Sequence, residues 1–244
     1  MKKNPNFKTY EQVALIYDHI MRKVHYDYWA DYIYSITNKL VNHNCKVLEL
    51  ACGNCKLAQY LSEYYPNYYA TDLSLKMLSQ SSSIYLNRVC CDMRFIPFKT
   101  KFDLIISVFD SVNYLVFIKD LRLLFQEINR LLAHDGVFTF DVSLEKNSYK
   151  HIKDAVRRGS FNGIKYIQES DYNPKTRIHK NHFIITNRDG LVTEELHLQR
   201  IYPPETYFRI IDDTGLKVIE CYDAFTYKTG KPNSSRFQFI VGKK

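Results

Sequence analysis

Apolar residues recur at three-to-four spacing twice near the start of the chain. Val13, Ile16, Tyr17 and Ile20 form one series and Tyr28, Trp29, Tyr32, Ile33 and Ile36 a second, so residues 10–40 predict two amphipathic helices. The period then changes. Residues 46–51 are a short apolar run that meets a turn at Cys52-Gly53-Asn54 and passes into a helical series through Leu57, Tyr60 and Leu61. The unit returns once more: residues 68–72 read as a strand and Ser74 as the N-cap of a helix carrying Met77 and Leu78. Residues 87–91 predict a third strand closed by Asp92, and residues 102–109 a fourth, apolar enough to be covered on both faces. Phe117, Leu121, Leu124, Ile128 and Leu131 trace a long helix, expected to stop near Asp135-Gly136 before a fifth strand over 137–142. Strands alternating with helices imply an α/β fold with a parallel, doubly wound sheet.

Beyond about residue 158 the texture changes. Residues 163–170, 176–187 and 191–202 are strand-like and are separated by Asn173-Pro174 and Asn187-Arg188-Asp189-Gly190, which predicts an antiparallel meander. A helix over 204–213 and strands over 217–222 and 236–241 follow. The expected organisation is one core, residues 1–158 and 203–244, with an N-terminal helical cap over 1–43 and an antiparallel insertion over 159–202.

Composition narrows the setting. No stretch of about 18 apolar residues passes without a charge, and the start of the chain lacks a signal-like apolar run, so a cytoplasmic protein with no membrane partner is expected. The six cysteines lie in or beside apolar segments, as reduced core residues do. Cys52-x-x-Cys55 lacks the second half-site that zinc needs, so no metal is expected. A net charge of +8 raises nucleic acid as a partner, but Lys2-Lys3, Arg22-Lys23, Arg157-Arg158 and Lys243-Lys244 are far apart and no basic helix face stands out. A solvated surface is the expected reading.

In an open parallel sheet the ligand lies beyond the carboxyl ends of the strands. Those ends carry Glu49 to Cys55, then Asp72, then Asp92-Met93, then Phe109-Asp110-Ser111. With these residues the chain resembles the class I S-adenosylmethionine-dependent methyltransferases, whose first motif is an acidic residue followed by a loop with three spaced glycines. Glu49 and the middle glycine, Gly53, are kept, while Ala51 and Cys55 stand where the family usually has glycine. Asp72 follows Gly53 by 72 − 53 = 19 residues, consistent with the interval of about 20 that a βαβ unit imposes. The resemblance implies a Rossmann-like, seven-stranded, mostly parallel sheet and S-adenosyl-L-methionine as cofactor. It implies that Tyr17, Glu49, Ala51, Cys52, Gly53, Asp72, Leu73, Met77, Asp92, Met93 and Phe109 surround that cofactor, with Asp72 on the ribose hydroxyls and Asp92 and the Met93 backbone on the adenine.

Finer similarity, through Ile16-Tyr17-Asp18, Asp27-Tyr28-x-x-Asp31, residues 109–114, Phe138-Thr139-Phe140-Asp141 and Arg200-Ile201-Tyr202, is to a small-molecule subgroup with an antiparallel insertion after the fifth strand. It implies a small-molecule acceptor with an N or O nucleophile, roofed by the N-terminal helices and the insertion. Tyr17, Asp110, Tyr114 and His197 are the candidate catalytic residues, as aromatic face, base or proton carrier. Val108-Phe109-Asp110-Ser111 stands where relatives that methylate base amino groups have Asn- or Asp-Pro-Pro-Tyr, which weighs against that acceptor. A nicotinamide reductase would need G-x-G-x-x-G, which is missing. A ligand-binding protein without catalysis and an RNA methyltransferase remain as alternatives, and the meander could instead be a homodimer interface.

Overall fold

The computed structural model describes residues 9–82 and 86–244. Lys2-Lys3 and the first eight positions of the expected cap lie outside the described residues. The cap begins with a 3-10 turn, Val13–Ile16, that continues into a single α-turn, α1 (Tyr17–Ile20), and then α2 (Tyr26–Thr37). Next come β1 (Lys46–Leu50), α3 (Lys56–Tyr64), β2 (Asn67–Asp72), α4 (Leu75–Ser79), β3 (Asn87–Cys90) and β4 (Phe102–Ser107). A 3-10 turn, Ser111–Tyr114, leads to α5 (Ile118–Leu131), β5 (Leu132–Ser143) and α6 (Glu145–His151). Four strands follow, β6 (Val156–Phe161), β7 (Ile164–Asn173), β8 (Ile178–Thr186) and β9 (Val192–Arg200), before α7 (Pro204–Asp213), β10 (Leu216–Asp223) and β11 (Arg236–Lys243).

The main sheet has seven strands in the order β10-β11-β5-β4-β1-β2-β3. β1 pairs in parallel with both β2 and β4, so the order reverses beside β1, and β11 alone runs against its neighbours. Both faces are covered, which explains the apolar strands. Leu104 and Ile106 join the cluster with Trp29, Ile33 and Leu61, while Ile105 between them joins Leu124, Phe125, Phe140 and Ile210 on the other face. Ser74 caps α4 as expected, its Oγ accepting from the Met77 amide at 3.2 Å.

The insertion is a separate antiparallel sheet, β6-β7-β8-β9, with one strand more than the sequence predicts. Its apolar side, Ile164, Tyr166, Phe183 and Ile185, packs on Val13 and Ile16 of the cap, so each covers what the other would expose. Two boundaries also move. α5 ends at Leu131 and β5 starts at Leu132, four residues before Gly136, across a register shift opposite Phe102 and Leu104. Gly136 therefore does not stop a helix. It lets β5 approach β4: a Cβ there would stand 2.9 Å from the Asp103 carbonyl oxygen and 3.0 Å from that of Phe102.

Because both obstructing atoms are backbone, Gly136→Ala is expected to destabilise the fold by about 1–3 kcal/mol. The urea midpoint should fall with an unchanged m value, since the surface exposed on unfolding stays the same.

Candidate functional site

β1 releases the chain into a tight loop in which left-handed backbone recurs at every second residue: φ is +54° at Ala51, +59° at Gly53 and +63° at Cys55. Phe109 and Asp110, just past β4, are left-handed as well, at +59° and +50°. Such conformations cost an L-residue free energy and persist where surrounding contacts impose them. Here they flank one cavity of about 520 Å³, a size usual for small-ligand sites, at the carboxyl ends of β1, β2 and β4. Asp72 ties the loops together. Its Oδ2 accepts from the Gly53 amide and its Oδ1 from the Ser74 amide, both at 2.7 Å.

Most of the residues singled out from the sequence meet at this cavity. Tyr17, Ala51, Cys52, Gly53, Asp72, Leu73, Met77, Asp92, Met93, Phe109 and Tyr114 all line it. Glu49, Asp110 and His197 do not. Glu49 is buried behind the loop, accepting from the Tyr68 hydroxyl at 3.0 Å. Burial pushes its carboxyl up to about 8, so it is a neutral acid over much of the ordinary pH range. Asp110 turns toward Arg236 at 2.5 Å and Gln199 at 2.6 Å. Burial raises its pKa, but the Arg236 charge and hydrogen bond outweigh that and hold it below the usual carboxylate value. Asp92 lines the cavity while its carboxylate is gripped by Arg94, which also reaches Asp120 at 3.0 Å. Arg94 outweighs burial there too and keeps Asp92 ionised.

His197 reaches the cavity through Tyr114. Its Nδ1 lies 3.2 Å from the Tyr114 hydroxyl and its Nε2 3.1 Å from Glu195 Oε2. Tyr114 in turn is 2.7 Å from the Tyr10 hydroxyl. With Glu195 ionised, Nε2–H donates to it and Nδ1 is left to accept from Tyr114. Glu195 is held below the usual carboxylate value because His197 and backbone amides outweigh its burial. Those amides belong to the cap: Tyr10 donates to Glu195 at 2.8 Å, Val13 at 3.1 Å, and Gln12 also donates. Burial raises the phenol pKa of Tyr10, Tyr17 and Tyr114 alike, so all three are neutral.

Tyr10, Arg94 and Glu195 are functional candidates that the sequence reading passed over. Glu195 carried a signal: along Glu195-Leu196-His197-Leu198-Gln199 the polar residues alternate with leucine. That pattern reads as leucines inward. The structure reverses it, burying Glu195, His197 and Gln199, while Leu196 and Leu198 line the cavity.

The strand order and the loop geometry define an α/β protein with a cavity beyond the carboxyl ends of a parallel sheet, where such folds bind their ligands. Residues 48–140 match the model of the methyltransferase domain. A candidate methyltransferase of Geobacillus sp. strain WCH70 is 28% identical, the match covering 96% of this chain and 100% of the relative. An S-adenosylmethionine-dependent methyltransferase of Clostridium acetobutylicum superposes with a TM-score of 0.78 at 26% identity, over 96% of this chain and 98% of that one. The sugar N-methyltransferase KedS8 of Streptoalloteichus shares the fold at 18% identity, with a TM-score of 0.73 over 93% and 91% of the two chains. The matched domain is a methyltransferase domain, and the fold is that of the class I, S-adenosylmethionine-dependent methyltransferases. Among the described residues no helix is long and apolar enough to cross a membrane.

Glu49 gives the site a pH signature. Its pKa rises from about 4.3 in the unfolded chain to about 8 in the fold. Between those values the folded state holds the proton that the unfolded state releases, so stability falls as pH rises through the window. Glu49→Gln cannot ionise and can still accept from Tyr68. Its stability relative to the parent should therefore climb with pH, to a gain on the order of 1–3 kcal/mol near pH 8 in ligand-free protein. Urea unfolding at several pH values checks this; a constant difference would show that Glu49 titrates normally.

Proposed function

We propose that the protein is a cytoplasmic enzyme that methylates a small molecule at nitrogen or oxygen. Cofactor and acceptor share the one cavity beneath the cap and the insertion sheet. The observation that carries the reading is Asp72, held by two amides at the end of β2 on the cavity wall, 19 residues after Gly53. The residues fit the cofactor. The Asp72 carboxylate can accept from vicinal ribose hydroxyls, and Asp92 with the Met93 backbone can meet the adenine. Gly53 leaves room where a Cβ would stand 3.2 Å from Met77 Cε. Neutral Glu49 braces the loop from behind, and Ala51, Cys52 and Leu73 complete its walls.

When bound, S-adenosylmethionine supplies a methyl group on a positively charged sulfur. The chain's part is to bind, align and exclude water. Tyr17 and Phe109 offer aromatic faces to positive charge. Ser111, Leu115, Val116, Leu196 and Leu198, together with Tyr10 and Tyr114, wall the remainder with apolar surface and hydroxyls, which suits a compact acceptor carrying an amine or hydroxyl. An acceptor proton can pass to the Tyr114 oxygen while the Tyr114 proton moves to His197 Nδ1, where Glu195 stabilises the imidazolium. Asp110 acts from behind, fixing Arg236 and Gln199. The likeness to a sugar N-methyltransferase supports a small acceptor, and the scattered lysines and arginines disfavour nucleic acid.

S-adenosylhomocysteine should bind in calorimetry and raise the melting temperature by mass action. Asp72→Ala should weaken that binding by roughly 1–3 kcal/mol through the loss of charge-assisted hydrogen bonds. Absence of binding at millimolar ligand, or equal affinity in the variant, would refute the cofactor assignment.

On the acceptor side, Tyr114→Phe should keep S-adenosylhomocysteine affinity within about twofold while lowering kcat by roughly 10²-fold for an acceptor that must lose a proton. His197→Ala should act through the same path and lower kcat by a similar factor while keeping S-adenosylhomocysteine affinity. A screen of amino sugars, simple amines and phenols, read as S-adenosylhomocysteine release, supplies the acceptor. Unchanged kcat in both variants would remove the relay.

A further inference from the structure

The loop that approaches Asp72 also carries Cys52-Gly53-Asn54-Cys55, and no part of the methyl-transfer reading uses its thiols. The two sulfurs stand 3.5 Å apart. Cys55 N–H donates to the Cys52 carbonyl at 2.9 Å, closing a four-residue turn. Such a turn brings its end Cα atoms within about 7 Å, and a disulfide spans about 4.4–6.8 Å between Cα atoms. Closure therefore needs the sulfurs to approach from 3.5 Å to about 2.05 Å, a change that side-chain rotation and a small loop adjustment can supply.

Chemistry separates the two thiols. A hydrogen bond from Cys52 holds the Cys55 thiol below its usual pKa against burial, with Ser81 and the Arg88 charge adding to the effect. That shared proton and burial push Cys52 upward. Cys55 also stands at the N-cap of α3, where the unpaired amides of the first turn favour a thiolate. Cys52 lines the cavity, whereas Cys55 is fully buried behind it. Cysteines that merely filled space would have no need to stand sulfur to sulfur at a ligand site. Among the described residues no third ligand joins them in a metal-binding group.

We infer that Cys52 and Cys55 form a modification site, a thiol pair in the cavity wall that a peroxide closes into a reversible disulfide. Peroxide entering the cavity meets Cys52, for which the buried Cys55 thiolate acts as base. As the Cys52 sulfur attacks one peroxide oxygen its proton passes to Cys55, the O–O bond breaks, and the departing hydroxide takes that proton from Cys55 and leaves as water, so that Cys52 becomes a sulfenic acid and Cys55 a thiolate again. Cys55 then attacks the Cys52 sulfur, the S–S bond forms, and the departing hydroxide takes from solvent the proton that Cys55 had given up, becoming a second water. Two thiols lose two electrons and two protons in all, and one peroxide becomes two waters. Closure draws the loop inward and pulls the Gly53 amide off Asp72, so the oxidised protein binds cofactor less well. This last consequence rests on the cofactor reading above; the disulfide does not.

Trypsin isolates the pair, because residues 47–56 contain Cys52 and Cys55 and no other cysteine. After hydrogen peroxide treatment of the full chain, alkylation and digestion, this peptide should lose two hydrogens, and dithiothreitol should restore them. Saturating S-adenosylhomocysteine should slow closure about tenfold by covering Cys52. Cys55→Ser should stop at a Cys52 sulfenic acid that dimedone traps, while Cys52→Ser should leave Cys55 unmodified. Oxidised protein should bind S-adenosylhomocysteine at least about tenfold more weakly, since binding loops tolerate displacements of only about 0.5 Å. A peptide that stays reduced while exposed Cys90 oxidises, or that runs to sulfinic acid without a disulfide, overturns the site. Unchanged affinity in oxidised protein overturns its effect on binding. A disulfide in a protein that fails to bind S-adenosylhomocysteine when reduced would leave the modification standing and remove the cofactor reading.

Discussion

The site depends first on one carboxylate. Asp72 sits where β2 ends, and its two oxygens are taken by amides from two different crossovers, Gly53 after β1 and Ser74 before α4. The parallel pairing of β1 with β2 sets the distance between those crossovers, and Asp72 converts that pairing into a fixed loop. Burial raises its pKa, and the Ser74, Gly53 and Leu73 amides limit that rise by favouring the ionised form. An acceptor thus stays at the cavity wall with lone pairs still free, an arrangement that suits a hydroxyl-bearing ligand.

A second carboxylate closes the opposite side. Glu195 lies on the insertion sheet, yet it binds the backbone of the cap at Tyr10, Gln12 and Val13. The apolar cluster of Val13, Ile16, Phe183 and Ile185 holds the same two elements together without direction, and Glu195 supplies the register. Tyr10 is thereby placed against Tyr114, so the residue that latches the roof also aims the hydroxyls beneath it. One buried group thus joins the cap to the insertion sheet and sets the hydroxyls at the cavity, so a change at Glu195 disturbs both.

The sequence made the core elements legible because their apolar period is set by burial on both faces of the sheet. What escaped was what burial does not mark. α6 buries only Ser148, so no apolar stripe announces it. β6 pairs on one side only and begins Val156-Arg157-Arg158, all exposed, which leaves no alternation to read. The stop placed at Asp135-Gly136 failed because Leu131 and Leu132 run continuously apolar through the change from helix to strand. At the site, Asp72 and Gly53 were visible through their spacing along one βαβ unit. Glu195 was hidden because the relevant neighbour, the cap backbone, lies 185 residues away from it at Tyr10. Periodicity reports which side of a strand is apolar, not which side is covered.

The departures from glycine at Ala51 and Cys55 become intelligible in the same terms. Both residues adopt the left-handed backbone that glycine would adopt freely. For an L-residue that conformation costs roughly 1–2 kcal/mol, whereas glycine would forfeit about 0.5–1 kcal/mol in unfolded-state entropy. Glycine at position 55 would relieve that strain but would also empty the space that the fully buried Cys55 side chain fills in the core, so the two effects roughly offset. Packing accounts for a small side chain at that position and gives no reason for sulfur in particular. A property that needs sulfur does, and the sulfur of Cys52 at 3.5 Å is the partner with which it can be exercised.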